Sequence, residues 1–89
     1  MKGSTDTQFK LELKQMIVDE CRLDEFDPQE IKDDEYLAGP EARFGLDSID
    51  MLQVIVTIKN RYGVHIQNDA ESREILATVN NLADHLRPE

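Results

Sequence analysis

Residues that build disulfide or metal frameworks are nearly absent from this chain. One cysteine, Cys21, in 89 residues cannot form an intramolecular disulfide, and a single thiol cannot build a structural zinc site. Two histidines, His65 and His85, are too few for a metal centre. Met1 to Thr5 is polar and lacks the apolar stretch of a secretory signal peptide. No run approaches the ~20 apolar residues of a membrane span. Repeats and low-complexity tracts are missing as well. Basic residues are scarce, with ten Lys and Arg against nineteen Asp and Glu, a formal charge of −9. A surface of that sign repels nucleic acid and anionic membranes. What remains is one small domain over residues 1–89, with 1–4 flexible, expected to be cytoplasmic and monomeric.

The negative charge is gathered in one place. Residues 19–47 carry eleven acids against Arg22, Lys32 and Arg43, a net of −8, so nearly all the excess precedes Ser48. Such a segment keeps the protein soluble, and it also steers basic protein surfaces towards whatever follows it. Asp24, Asp27, Asp33, Asp34 and Glu35 do not match the calcium-loop pattern D-x-[DN]-x-[DN]-G, so no metal site is expected.

Hydrophobic spacing predicts helices. Over residues 5–22, Phe9, Leu13, Met16, Ile17 and Cys21 fall on one face, with Thr5 or Asp6 as cap and Lys10 and Lys14 off the stripe. Leu11 and Val18 widen the buried arc. Cys21 reads as a core residue, since Asp19, Glu20 and Asp24 around it would not lower a thiol pKa. Residues 23–46 form a long loop broken by Pro28, Gly39 and Pro40, pinned by Leu23, Phe26, Ile31, Tyr36, Leu37 and Phe44, with one helical turn at Pro28 capped by Asp27.

Val54-Ile55-Val56-Thr57-Ile58 favours a strand by propensity. Polar positions at Asp50, Gln53, Thr57, Asn60 and Arg61, a length near fifteen residues, Asp47 before it and Gly63 after it favour a helix. With only that polar stripe outside, the helix should be largely buried. Val64 and Ile66 point inward in a connector, Asn68 caps a short helix from about Asp69 to Glu74, and Thr78 caps a last one carrying Val79, Leu82, Ala83 and Leu86. The fold class is all-α: a four-helix bundle of three longer helices and one short helix, with a long loop between helices one and two.

Ser48 then stands at the electropositive start of the second helix. Asp47-Ser48 can be a helix cap and nothing more, as in an unmodified helical interaction module. A catalytic nucleophile needs a base and an oxyanion site, and Gly45 to Asp50 does not fit G-x-S-x-G, so no enzyme is expected. A hydroxyl modified by another protein is the third reading. Free N–H groups and the helix dipole favour a phosphate there, Gly45 leaves room, and Asp47 and Asp50 flank it as docking charges; kinase phosphorylation fits these facts too.

Phe44-Gly45-Leu46-Asp47-Ser48-Ile49-Asp50, with the apolar helix Met51 to Tyr62 behind it, resembles the signature of the acyl carrier protein family. The first amphipathic helix, the acidic loop, Ile66 in the connector and Thr78-Val79 follow in family order. The resemblance implies a 4'-phosphopantetheine arm on Ser48, attached from coenzyme A by a phosphopantetheinyl transferase, and acyl-loading and acyl-processing enzymes as partners. It implies an acyl carrier for fatty-acid or specialised lipid or polyketide-type biosynthesis; an aminoacyl or peptidyl carrier is the alternative. Asp47, Asp50 and Glu41 are the docking candidates, and Leu52, Ile55, Val56, Ile66 and Ile75 the candidate lining of an acyl pocket. Fatty-acid carriers usually have a strongly acidic second helix and a shorter loop with leucine after the serine. Here Asp50 faces Lys59 and Arg61, and Ile49 follows Ser48, which points towards a specialised pathway.

Overall fold

Polar side chains that can accept hydrogen bonds from a first turn mark the starts of three α-helices. The structure, a computed structural model, describes residues 3–23, 25–37, 42, 44–67 and 70–88, with backbone alone at 70 and 71. Helix α1 spans Thr7–Glu20, and the Asp6 carboxylate accepts from the Phe9 N–H at 3.1 Å. Helix α2 spans Ser48–Tyr62 behind Asp47. Helix α3 spans Ala70–Ile75, and α4 spans Val79–Leu86, where the Thr78 hydroxyl accepts from the Asn81 N–H at 3.1 Å. Single-turn 3-10 helices lie at Gly3–Thr5 and Pro28–Glu30. The β-branched residues 54–58 sit in the middle of α2, and no strand forms among the described residues. The architecture is the expected small all-α bundle.

The core follows the stripe on α1. Phe9, Leu13, Met16, Ile17 and Cys21 are all buried, as is Val18. They join Val54, Ile55 and Ile58 of α2 and Val79, Leu82 and Ala83 of α4 in one cluster. The Phe9 ring meets Tyr62 edge-on at 5.8 Å, and the Arg87 guanidinium lies 4.0 Å above it while pairing with Asp6 at 3.3 Å. The helix predicted over 5–22 is shorter at both ends. Thr5 belongs to the preceding turn, and Arg22 adopts φ 56, a left-handed conformation that reverses the chain. The Leu23 N–H then donates to Val18 O at 3.0 Å, closing the helix as a glycine there would.

The first described residues are docked, where the sequence suggested a loose end over 1–4. Gly3 is buried, its N–H donates to Arg87 O at 2.8 Å, and the Ser4 N–H donates to Asp84 Oδ1 at 2.9 Å. A Cβ on Gly3 would collide with the backbone oxygen of Ala83, so the close approach requires glycine. Met1 and Lys2 lie outside the described residues.

The loop is held by the apolar anchors and one charge cluster. Leu23, Ile31, Leu37 and Phe44 are buried, and Phe26 packs edge-on against Phe44 at 4.9 Å. Tyr36, expected among the anchors, is 53% exposed. Leu37 takes the inward place beside it, its N–H donating to Ala77 O at 2.9 Å, which leaves Tyr36 outward. Asp27 caps the Pro28 turn as expected, accepting from the Gln29 N–H at 2.9 Å. Asp33 receives Lys10 at 2.8 Å and Lys14 at 2.7 Å, and its carbonyl accepts from the Asn80 N–H at 3.0 Å. Lys10 is thus buried, because a carboxylate compensates its charge and its stem covers apolar surface. Asp24, Gly39, Pro40, Asn68 and Asp69 fall outside the described residues. Among the described residues no group of acids, histidines or cysteines could hold a metal ion.

Candidate functional site

The segment before α2 is built to start a helix sharply. Phe44 and Leu46 are buried anchors, and Gly45 between them has φ 60. A Cβ on Gly45 would meet nothing within 4 Å, so its conformation and not crowding selects glycine. Asp47 Oδ1 accepts from the N–H groups of Ile49 and Asp50, both at 3.0 Å. Asp50 Oδ2 reaches back to accept from the Asp47 N–H at 3.1 Å, completing a capping box that spacing alone had not revealed. Gly63, with φ 69, closes the other end.

Ser48 is the first helical residue and is exposed. The capping role at this helix start falls to Asp47, so the Ser48 hydroxyl is not the cap. Asp47 also engages two N–H groups of the first turn, so these are not free to cradle a phosphate. The favourable field of the helix start remains. Asp47 and Asp50, the expected docking charges, serve first to order this turn, with Asp47 exposed and Asp50 half-buried. Glu41, the third of that set, lies outside the described residues.

The five residues expected to line an acyl pocket differ in burial. Ile55 and Ile66 are buried and Ile75 is half-buried against the core, whereas Leu52 and Val56 are each 45% exposed. Together with Ile49, 74% exposed, they form an apolar stripe at i, i+3, i+7 on the outer face of α2. The expectation of a largely buried helix with a polar outer stripe is corrected accordingly. Val54, Ile55, Thr57 and Ile58 are the buried positions. Thr57 is admitted to the interior because its hydroxyl donates to Gln53 O at 2.9 Å. Gln53 in turn donates from Nε2 to Glu20 of α1 at 3.1 Å.

Cys21 stands behind this site as an inert core residue. Burial, and then the charges of Asp50, Glu20 and Asp47, push its thiol up to about 12. Its Sγ lies 3.9 Å from the Asp50 carbonyl oxygen. His65 is exposed beyond the far end of α2, about 22 Å along the axis of that fifteen-residue helix from Ser48. His85 is exposed in the last turn of α4. Neither is placed by its element to activate the serine.

Ser48 is thus exposed at a tightly capped helix start, and His65 and His85 stand on other segments of the chain. A family model described as phosphopantetheine attachment site matches residues 12–86, and the chain belongs to that family. Its members are carrier proteins, not catalytic enzymes, and bear a covalently attached 4'-phosphopantetheine. They work with a phosphopantetheinyl transferase and with partner enzymes. Comparison with curated proteins and with solved structures finds no match. No helix among the described residues is long and apolar enough to cross a membrane.

Proposed function

We propose that Ser48 is the attachment residue and that the protein is an acyl carrier for fatty-acid or specialised lipid or polyketide-type biosynthesis, acting as a monomer in the cytoplasm. The observation that carries this reading is the division of labour at the head of α2: Asp47 caps, and Ser48, one residue on, is exposed. The residues present fit the group. Ser48 is exposed, a side chain at Gly45 three residues earlier would meet open space, and the dipole of α2 favours a phosphodiester at its first residue. The arm supplies a thiol that holds an acyl group as a thioester. The chain's own part is to fix the tether point and to offer apolar cover, for which Ile55, Ile66 and Ile75 are the interior candidates.

An aminoacyl or peptidyl carrier is the second reading. It is favoured by one observation: the outer face of α2 carries Ile49, Leu52 and Val56 where a strongly acidic face would suit the basic partners of fatty-acid carriers. The test of the first claim is direct. Incubation with a broad-specificity phosphopantetheinyl transferase and coenzyme A should add one phosphopantetheine by intact mass, and Ser48→Ala should abolish it. No adduct on folded wild type would overturn the assignment and favour an unmodified interaction module.

A further inference from the structure

A cleft of about 480 Å³ opens where the loop crosses α1 and α4. Lys14 of α1, Gln29 and residues 31–34 of the loop, and Asn80 of α4 line it, so it shares no residue with α2. The Asp33 carboxylate in its wall is already committed to two ammoniums, Lys10 at 2.8 Å and Lys14 at 2.7 Å. Those two side chains are only 11% and 14% exposed, so water does little to compensate them. Lys10 has a further acceptor in Asn80 Oδ1 at 3.5 Å, whereas the Lys14 ammonium has Asp33 alone among the described residues. Lys32 and Asp34 line the same cleft, both exposed, and neither side chain has a partner among the described residues. Glu35, the next carboxylate along, accepts from the Lys32 N–H at 2.7 Å and is not part of the wall.

We propose that this cleft binds a small organic carboxylate of single negative charge. Charge sets the class. Lys10, Lys14 and Lys32 stand against Asp33 and Asp34, which leaves one positive charge unbalanced in a partly buried place. A monoanion cancels that excess, while a dianion would leave net negative charge beside Asp34. A nearly buried ammonium is costly unless its N–H groups are engaged, and a carboxylate oxygen is the acceptor that suits those Lys14 has left. Lys32 supplies a second charge-assisted hydrogen bond. The amides of Gln29 and Asn80 can hold a hydroxyl or carbonyl on the rest of the molecule, and Ile31 can pack against its carbon atoms. The chain as a whole carries −9, so these local contacts and not the overall field hold the ligand, and its affinity is modest. The proposal is independent of what Ser48 carries.

The experiment titrates the 15N-labelled full chain with sodium lactate and follows the backbone amide shifts. Sodium chloride at matched ionic strength is the reference, and sodium sulfate is the dianion. Lactate should give saturable shifts around residues 14, 29–34 and 80, with a Kd of about 1–10 mM, and sulfate should bind at least about fivefold more weakly. Lys32→Gln and Asp34→Asn alter exposed side chains, so the fold should survive, and circular dichroism checks it. Lys32→Gln should weaken lactate binding about tenfold. Asp34→Asn should tighten it about threefold and bring sulfate to comparable strength. Lys59→Gln, on α2 and outside the cleft, and Ser48→Ala should both bind as wild type does. Shifts that chloride reproduces, or that Lys59→Gln loses as fully as Lys32→Gln, would overturn the proposal. So would sulfate binding wild type more tightly than lactate, since the cluster would then accept two charges.

Discussion

Asp47 is the residue whose replacement tests the site most sharply, because it has two separable properties. Its carboxylate accepts from two backbone N–H groups at 3.0 Å and also brings a negative charge to the start of α2. Asp47→Ala removes both. The loss of a cap costs about 0.5–2 kcal/mol. Since the Asp47 side chain serves two donors while water can reach them, we expect about 1–2 kcal/mol. Asp47→Asn keeps an acceptor and deletes only the charge, whose interaction with the helix dipole is worth about 0.3–1 kcal/mol. For a domain of this size each kcal/mol moves Tm by about 4–8 °C, so Asp47→Ala should melt roughly 4–15 °C lower and Asp47→Asn only a few degrees lower. Urea unfolding followed by circular dichroism at 222 nm gives the free energies. Arm transfer to Ser48, read by intact mass on the same samples, gives the functional half. Asp47→Ala should slow transfer because the first turn frays and the hydroxyl loses its fixed position. If Asp47→Asn matches wild type in stability yet transfers as slowly as Asp47→Ala, the charge itself docks the enzyme. An Asp47→Ala protein within about 0.3 kcal/mol of wild type would refute the capping argument altogether, since that lies below any capping cost.

Two further outcomes follow from the rest of the bundle. Arg22→Gly should stabilise the protein by about 0.5–1 kcal/mol in the same urea assay, because the left-handed conformation at φ 56 costs a non-glycine residue about 1–2 kcal/mol, partly offset by the freer unfolded chain of the glycine variant. At Asp33, burial alone would raise the carboxyl pKa, but the hydrogen bonds and charges of Lys10 and Lys14 outweigh it and hold the group below the usual range. A depressed carboxyl contributes stability that is complete above its unfolded value of about 3.9 and is lost as pH falls through the folded value. Asp33→Asn should therefore flatten the acid limb of a Tm-against-pH curve below pH ~4, and an unchanged limb would show that the cluster contributes nothing there.

Much of the fold could be read in advance because local chemistry and global packing agree. Asp6, Asp27, Asp47 and Thr78 all cap where a short polar side chain precedes an apolar period, and Gly63 ends α2 where a left-handed residue is needed. The failures have physical causes. Arg22 gave no signal, because a left-handed arginine is tolerated only where the surrounding hydrogen bonds impose it. Gly3 looked like part of a loose end, since its close approach to Ala83 joins residues eighty positions apart. Lys10 and Asn80 could not be linked to Asp33 by any sequence pattern, for the same reason of distance along the chain. The capping box hid behind a substitution, an aspartate at the third position where the usual pattern has glutamate or glutamine.

The outer face of α2 is the most instructive failure. A helix that alternates apolar and polar groups in nearly every direction does not state which side is covered, and polarity alone assigns its polar residues to the outside. Packing chose otherwise. Val54 and Ile58 must face α1 to complete the stripe of Leu13 and Ile17, and that fixes the rotation of the helix. Thr57 is then carried inward, at the cost of a hydroxyl that bonds to its own backbone, and Ile49, Leu52 and Val56 are carried outward. Repacking could not correct this, because rotating α2 to hide the stripe would expose the core and move the Ser48 Cα away from its present position. In the rotation that the core imposes, Ser48 and the isoleucine beside it are both exposed.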